Sequence, residues 1–378
     1  MFNFSGCCFT NELFAMPFAT PTLLLDQAKC VHNITRMAAR AKHNNVLFRP
    51  HFKTHQSHEI GRWFKDVGVA QITVSSLEMA AYFVADGWKD ITVAFPLNIL
   101  EVGRIQQLAG QVDLNLVVGS LDNALATLHL LPRSVHLGIF IKIDNGYHRT
   151  GLDPADSDTI HQVIGAIAMH ANLYFKGFLS HEGHAYGTTT LAEIEAIHQQ
   201  RLANFGPLRE RYQGPFPQLA FSVGDTPTCS RLEVLSGVDE IRPGNFVFYD
   251  LMQVDIGACG VDDIAVAVAC PVVATHPERN EAILYGGGVH LSKEQGVLPD
   301  GSPYFGLVCL MTDDGWGAPL EGVYIRSLSQ EHAIVSAGDK LHHFKPGAVV
   351  AVLPIHSCMT VDLYRNYRTT SGGVISRH

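Results

Sequence analysis

The feature that most constrains the fold of this chain is an alternation of short apolar segments with amphipathic segments between residues 26 and 254. Eight segments have the length and apolar content of buried strands, and most gaps between them show the apolar period of a helix. The predicted strands cover residues 46–48, 70–74, 90–95, 112–118, 135–143, 173–179, 219–223 and 239–241. The predicted helices cover residues 57–67, 77–86, 99–109, 122–130, 159–171 and 191–212, after a first helix that Asp26 caps. Strands and helices in strict alternation favour a (β/α)8 TIM-type barrel with its helices outside. The pattern is least clear in the seventh and eighth strand–helix units, because residues 226–235 and 249–253 can form only short helices.

The pattern changes after about residue 254. Short β-branched segments separated by turn residues occur at 264–270, 271–275, 282–285, 323–325, 333–335 and 348–353, without helical periods between them. This predicts a barrel domain over residues 26–254 and a second, all-β domain over residues 255–378. Residues 1–25 are predicted to join the β domain. The glycines at 286–288 predict a turn or a close backbone approach, with no helix after it.

The composition excludes several classes of function. The formal net charge of −9 argues against a nucleic-acid partner, which requires a basic face. No apolar run approaches the roughly 18 residues of a membrane span, and residues 1–16 lack the features of a signal peptide. The eight cysteines form no C-x-x-C pair, which is typical of reduced thiols in a cytoplasmic protein.

The segment Arg-Pro-His-Phe-Lys-Thr-His at residues 49–55 follows the first predicted strand. Pro50 favours extended backbone before it, so Lys53 is expected where the strand ends. A lysine amine becomes nucleophilic toward an aldehyde when it is partly desolvated or lies near other cations, and Arg49, His51 and His55 can supply such cations. The alternative is a basic turn on the surface.

Barrel enzymes carry their active sites at the carboxyl ends of the strands, and polar, glycine-bearing stretches follow the fifth to eighth predicted strands. After strands seven and eight, small and hydroxyl residues can bind a phosphate through backbone N–H groups. These residues are Ser222, Gly224, Asp225, Thr226, Gly244 and Asn245. The Asp225 charge would repel phosphate unless it points away. Arg149, after strand five, is expected to hold a ring or a phenolate oxygen, or else to form a rim ion pair.

Two histidine-containing stretches suggest metal binding to different degrees. The sequence His-Glu-Gly-His at 181–184 lacks the spacing of the helical H-E-x-x-H zinc motif, so cofactor or substrate contacts are the better interpretation. His356 and Cys358 stand two residues apart after a predicted strand, where both would face one side and bind zinc. His181 is a candidate third ligand. The alternative is a buried cysteine beside a hydrogen-bonded histidine.

These segments, in this order, resemble those of the D-serine dehydratase and D-threonine aldolase family, whose members have an alanine-racemase-like barrel and a β domain. The resemblance implies pyridoxal 5'-phosphate bound covalently by Lys53, with its phosphate at the loops after strands seven and eight. It places Arg149 and Tyr186 near the cofactor ring, and the loop with His181 is expected to contact the cofactor as well. It also implies a homodimer. A His-x-Cys pair resembles the Zn²⁺ site of the dehydratases, whereas the aldolases tend to show His-x-Asp, and a thiolate selects zinc over harder ions.

The resemblance leads to a functional hypothesis. The chain is expected to be a pyridoxal-phosphate- and zinc-dependent lyase for a D-β-hydroxy amino acid, most simply D-serine, giving an oxo acid and ammonia. A retro-aldol lyase of the D-threonine aldolase type and an amino-acid racemase are the catalytic alternatives. A non-catalytic carrier of the cofactor is the alternative from another class.

Overall fold

The computed structural model of the protein describes residues 18–378. Of the predicted N-terminal segment 1–25, residues 1–17 lie outside the described residues. The described chain begins with a short strand, β1 (Thr22–Leu25), and then enters the barrel.

Eight parallel strands form the barrel sheet, and each overlaps one of the eight predicted strands. They are β2 (Leu47–Phe48), β3 (Gln71–Val74), β4 (Asp90–Pro96), β5 (Asp113–Val118), β6 (Leu137–Lys142), β7 (Leu173–Leu179), β8 (Ala220–Val223) and β9 (Glu240–Ile241). They pair in the order β2-β9-β8-β7-β6-β5-β4-β3. The ring closes beyond the end of β2, where His51 bridges Thr73 in parallel register and the Phe52 N–H donates to the Thr73 carbonyl. The predicted barrel is confirmed, and the segment before Lys53 forms its closing seam.

Helices cover the outside of the barrel. They are α1 (Gln27–His43), α2 (His58–Asp66), α3 (Leu77–Ala85), α4 (Val102–Ala109), α5 (Leu121–Leu130), α6 (Ser157–Ala168), α7 (Leu191–Tyr212) and α8 (Thr226–Arg231). A short α9 (Leu251–Asp255) follows β9. The Asp26 carboxylate accepts the Lys29 N–H and begins α1 as predicted. As expected, α8 and α9 are short.

A second, antiparallel sheet contains β1 and the strands of the C-terminal part. These are β10 (Val266–His276), β11 (Glu281–Tyr285), β14 (Leu307–Thr312), β15 (Gly315–Leu328), β16 (His332–Ser336), β17 (Val349–Leu353), β18 (Asn366–Thr369) and β19 (Val374–Ser376), while β12 (Gly296–Val297) and β13 (Pro303–Tyr304) form a separate pair. The long β10 pairs with both β17 and β11, so that β10, β11, β16, β15, β14 and β17 close into a ring. β1 adds to it through antiparallel pairing with β10 and parallel pairing with β18.

Three details of this β region differ from the sequence prediction. Pro271 does not divide two strands but lies within β10, between the part that pairs with β1 and the part that pairs with β11, where its missing N–H costs no hydrogen bond. Strands β12, β13, β14, β18 and β19 were not predicted. Two short helices also occur, α10 (Gly288–Leu291) and α11 (Ser357–Val361). The expectation that no helix follows the triple glycine was therefore wrong.

The close backbone approach expected at the triple glycine does occur. A Cβ atom on Gly287 would lie 2.3 Å from the Gln330 carbonyl oxygen, a separation that no side chain tolerates. Within the described residues, no helix combines the length and apolar character that crossing a bilayer requires.

Candidate active site

A cavity of about 750 Å³ opens at the carboxyl ends of the barrel strands, where the loops after β2, β6, β7, β8 and β9 meet the segment around α11. The predicted site residues that line it are Lys53, Arg149, His181, Tyr186, Gly224, Asp225, Gly244, Asn245, His356 and Cys358. Ser222 and Thr226, predicted at the same site, are fully buried and do not line the cavity. The Ser222 hydroxyl donates to Glu240 instead.

Lys53 lies in the turn that follows the barrel seam, and its side chain is exposed in the open cavity. The cationic surroundings expected for it are mostly absent. Arg49 turns away and pairs with Glu240 (2.6 Å) and Asp90 (2.5 Å). His55 is fully buried, and burial lowers its pKa to about 3, so it is neutral.

His51 is the one neighbour of the three that lines the cavity with Lys53. Its Nδ1 atom lies 3.4 Å from the Lys53 backbone nitrogen. Burial, and then the charge of Lys53, lower the pKa of His51 well below its usual value. A neutral imidazole therefore accompanies the amine. Lys53 is thus exposed rather than partly desolvated, and Arg49, His51 and His55 do not supply the cations that were expected beside it.

Lys142 is a cavity residue that the sequence analysis missed. It ends the buried strand β6, its Nζ donates to the Ile143 carbonyl at 2.9 Å, and it is 6% exposed. Burial lowers the pKa of Lys142 to about 8, although the Glu182 carboxylate acts in the opposite direction. A lysine that ends an otherwise apolar strand, directly before a polar loop, was the signal available in the sequence.

The loops after β8 and β9 present backbone donors to the cavity. Within the described residues, the N–H groups of Gly224, Asp225 and Gly244 donate to no protein group. A Cβ atom on Gly224 would lie 2.9 Å from the Arg242 carbonyl oxygen, so glycine alone fits this crossing. Arg242 itself lines the cavity, although the sequence analysis did not assign it a role.

The Asp225 carboxylate points away from these donors. It accepts the Thr228 N–H at 2.7 Å as the cap of α8, and it lies 3.1 Å from the Arg201 guanidinium. The repulsion that the sequence suggested between Asp225 and a phosphate is therefore relieved, because the charge is paired behind the loop.

The loop after β7 supplies two aromatic side chains to the cavity. His181 contacts the Gly224 carbonyl through Nδ1, and burial lowers its pKa to about 3. The Tyr186 hydroxyl accepts the Thr226 N–H at 3.3 Å, and burial raises its pKa. Both groups are therefore neutral at physiological pH. The Arg149 guanidinium lies 5.1 Å from the centroid of the Tyr147 ring, which is itself 6.2 Å from that of His181.

His356 and Cys358 both line the cavity, but not as neighbours on a strand. β17 ends at Leu353, His356 precedes α11, and Cys358 lies in its first turn, so the predicted strand geometry was wrong. The His356 Nδ1 atom lies 3.0 Å from Asp250 Oδ2, and its Nε2 has no hydrogen-bond partner within the described residues. Burial disfavours a charged His356, but Cys358 and Asp250 outweigh it and raise its pKa to about 9.

No third metal ligand is in place. Among the described residues, no group of three His, Cys, Asp or Glu side chains is arranged to hold a metal ion. The suggested third ligand, His181, uses its Nδ1 on the Gly224 carbonyl. The Cys358 sulfur instead has two weak polar neighbours, Thr54 Oγ1 at 3.4 Å and Asn245 Nδ2 at 3.7 Å.

Comparison with known families identifies the chain. Residues 25–251 match the family model described as the N-terminal domain of alanine racemase, and residues 265–370 match a serine dehydratase domain. The protein therefore belongs to the family of alanine-racemase-like enzymes with a C-terminal serine dehydratase domain. The family resemblance drawn from the sequence motifs is confirmed.

Several of the similar proteins are named as dehydratases or as an aldolase. A D-serine dehydratase from Dictyostelium discoideum is 32% identical over 92% of this chain and 92% of its own length. A D-threo-3-hydroxyaspartate dehydratase from Delftia sp. is 29% identical over 92% of this chain and 93% of its own. A D-threonine aldolase from Arthrobacter sp. is 24% identical over 94% of this chain and 90% of its own.

The solved structure of the Delftia dehydratase has a TM-score of 0.89 to this chain, with 27% identity, and covers 97% of this chain and 98% of its own. A mutant of the same enzyme has been solved in a metal-free form. These similarities agree with the expectation that the protein is a lyase.

Proposed function

We propose that the protein is a pyridoxal-phosphate- and zinc-dependent D-serine dehydratase, which converts D-serine to an oxo acid and ammonia. One observation carries this proposal: a single cavity brings together a free lysine amine, unpaired backbone N–H groups and a histidine–cysteine pair. The names of the similar dehydratases support the same reaction.

The cavity fits pyridoxal phosphate. Its volume of about 750 Å³ is within the range of cofactor pockets. The N–H groups of Gly224, Asp225 and Gly244 are oriented by the starts of α8 and of the turn after β9, and such donors bind phosphate. Lys53 is available to the aldehyde, because its amine has no partner within the described residues. Lys142, the other lysine, is held by the Ile143 carbonyl.

The pair His356 and Cys358 fits zinc. Imidazole and thiolate are good zinc ligands, and the Asp250 carboxylate on His356 Nδ1 leaves Nε2 as the atom that would coordinate zinc after losing its proton to solvent. Two protein ligands leave positions for water and for a substrate hydroxyl. The metal-free form reported for a mutant of the Delftia enzyme supports a metal in this family.

The chain's own residues then have definite tasks. Bound pyridoxal phosphate supplies an aldehyde for amines and a ring that accepts electrons, while zinc supplies a Lewis acid for the β-hydroxyl. Lys53 Nζ would hold the aldehyde of the cofactor and, once free, would take the α-proton of the substrate. His356 and Cys358 would hold the zinc ion that faces the β-hydroxyl. Because the Asp225 carboxylate is paired with Arg201, the loop after β8 can accept a negatively charged phosphate group.

Product analysis tests this function. Protein loaded with pyridoxal phosphate and zinc is expected to release pyruvate and ammonia from D-serine, while L-serine, the matched control, gives neither. D-threo-3-hydroxyaspartate and D-threonine extend the screen. Chelation is expected to abolish turnover without removing the visible absorbance of the bound cofactor.

Other products identify the alternatives. Glycine with an aldehyde from D-threonine, in excess over oxo acid, would assign the protein to the aldolases. L-serine as the main product from D-serine would make it a racemase. Full turnover after complete removal of zinc would refute the role of His356 and Cys358.

We also propose that the protein acts in the cytoplasm as a homodimer, with residues 26–254 and 255–378 as its two domains. The six cysteines of the described chain, none of them in a disulfide, support a reducing compartment.

A further inference from the structure

A buried polar face of α7 lies behind the loops that line the cavity. Arg201 on this helix is fully buried, and its NH2 lies 2.7 Å from Glu182 Oε2 and 3.1 Å from Asp225 Oδ2. One turn further along the helix, the Asn204 amide donates to Asn145 Oδ1 at 2.9 Å, and the Asn145 amide donates to Glu182 Oε1 at 3.0 Å. A single helix thus ties together the loops after β6, β7 and β8.

One guanidinium, that of Arg201, pairs with both carboxylates of this cluster. Burial raises the pKa of Asp225. Burial acts in the same direction on Glu182, but Arg201 outweighs it and lowers the pKa of Glu182 to about 2. Without Arg201, both buried carboxylates would lose the guanidinium that pairs with them directly, and removing one partner of a buried ion pair is costly.

The position of Asp225 gives this balance a functional meaning. Its backbone N–H is among the free donors at the cavity, while its carboxylate contacts Arg201 on the other side of the loop. An unpaired carboxylate at this place would repel a doubly charged phosphate through a medium of low dielectric.

We propose that Arg201 is a positioning residue for the cofactor's phosphate group: it neutralises Asp225 from behind, so that the loop after β8 can accept a dianion. This inference rests on the proposed function, because it requires phosphate at that loop. It goes beyond that function by assigning a role to a helix residue that does not line the cavity.

Two ligands separate a phosphate effect from a general loss of structure. The apoprotein is titrated with pyridoxal phosphate and with pyridoxal, which lacks the phosphate, and binding is followed by absorbance. Arg201→Gln is expected to raise the Kd for pyridoxal phosphate about tenfold or more, with little change for pyridoxal. Adding Asp225→Asn is expected to restore most of the loss, because it removes the uncompensated charge.

Arg209→Gln is the matched control. Arg209 is on the same helix and pairs with Asp239 at 2.9 Å, but both side chains are partly exposed. Its removal is expected to leave both affinities unchanged.

Asp225→Asn alone keeps the inference testable if Arg201→Gln does not fold. Asparagine caps helices as well as aspartate does, so α8 is preserved. This variant is expected to bind pyridoxal phosphate at least as tightly as the native protein, with pyridoxal unchanged. Weaker binding of the phosphate form alone would overturn the inference.

Two further results would contradict the role of Arg201. Equal losses for both ligands in Arg201→Gln would indicate a structural role only, and unchanged binding would indicate none. A native protein that binds neither ligand would refute the proposed function itself, which separates that failure from the failure of this inference.

Discussion

His55 illustrates how burial decides the behaviour of a single side chain. It is fully buried, its ring centroid lies 4.4 Å from that of Phe52, and its Nδ1 accepts the Ser57 N–H at 3.1 Å. Burial, and then the charge of Arg377, lower the pKa of His55 to about 3. The histidine that the sequence suggested as a cation near Lys53 is therefore a neutral core residue.

This pKa predicts acid sensitivity. An unfolded histidine titrates near pH 6.5, so the folded pKa of His55 is depressed, and the unfolded chain binds more protons between about pH 6.5 and 3. The stability that neutral His55 contributes is complete above pH 6.5 and is lost as the pH falls. The loss in free energy of unfolding that His55 causes approaches about 1.4 kcal/mol per pH unit.

Denaturant unfolding at pH 7, 6 and 5 measures this effect. His55→Gln is expected to reduce the decline in the free energy of unfolding between pH 7 and 5. His161→Gln, at an exposed position on α6, is the control and should preserve the native decline. Equal slopes for all three proteins would mean that His55 is not the buried group responsible.

The residues around Lys53 also show what the sequence can and cannot reveal. The order of residues 49–55 predicted that Lys53 reaches the cavity, because a strand end in a barrel leads to the catalytic rim. It did not predict that Arg49 turns toward Glu240 and Asp90, since those partners come from β9 and β4 and only the closed barrel brings them together. Lys142 was missed although it ends an apolar strand directly before a polar loop, because its place at the cavity follows only from the closed barrel.

At the scale of elements, Asp250 joins the barrel to the α11 region. It caps α9 through the Gln253 N–H, and its Oδ2 atom accepts from the Asn245 amide (2.6 Å) and the Ser357 N–H (2.8 Å) and contacts His356 Nδ1. One carboxylate thereby fixes the orientation of His356 relative to the loop after β9.

Asp250→Asn is expected to weaken zinc binding about 10- to 100-fold while leaving cofactor absorbance unchanged. Asp250 accepts from four donors through two oxygens, and the asparagine amide has only one oxygen, so the side chain must give up the Gln253 cap or the contacts that orient the His356 ring. Zinc affinity is measured by competition with a chromogenic chelator. Asp255→Asn, at the exposed end of the same helix, is the control and should bind zinc normally. If Asp250→Asn bound zinc as tightly as the native protein, Asp250 would have no role in orienting His356 for the metal.

The elements were predicted with unequal success, and the reasons are physical. The barrel strands are buried on both faces and read as apolar runs, so all eight were recognised. Strands such as β15 and β18 have mixed burial, with few apolar runs. The position of α11 was missed because helix formation at Ser357 depends on the Asp250 carboxylate, which is remote in sequence.

For the whole molecule, the arrangement of the two sheets explains why one cavity receives so many groups. The barrel supplies the lysine, the backbone donors and the aromatic rings, and the chain that leaves β17 returns His356 and Cys358 to the same rim. The proposed dehydration requires both sets of groups at one cavity: the lysine and backbone donors of the barrel, and the His356–Cys358 pair.

The proposed function depends on which lysine amine binds the cofactor. Lys53 is exposed and free, whereas Lys142 is buried, with a pKa lowered to about 8 that itself favours a nucleophilic amine. Both lysines line the cavity, so a covalent label is needed to show which of them binds the cofactor.

Borohydride reduction of the protein loaded with pyridoxal phosphate, followed by proteolysis and mass spectrometry of the labelled peptide, makes this distinction directly. The account predicts a pyridoxyl label on Lys53 in the native protein and in Lys142→Met, and no label in Lys53→Ala. A label on Lys142 in the native protein, or no covalent label at all, would contradict it.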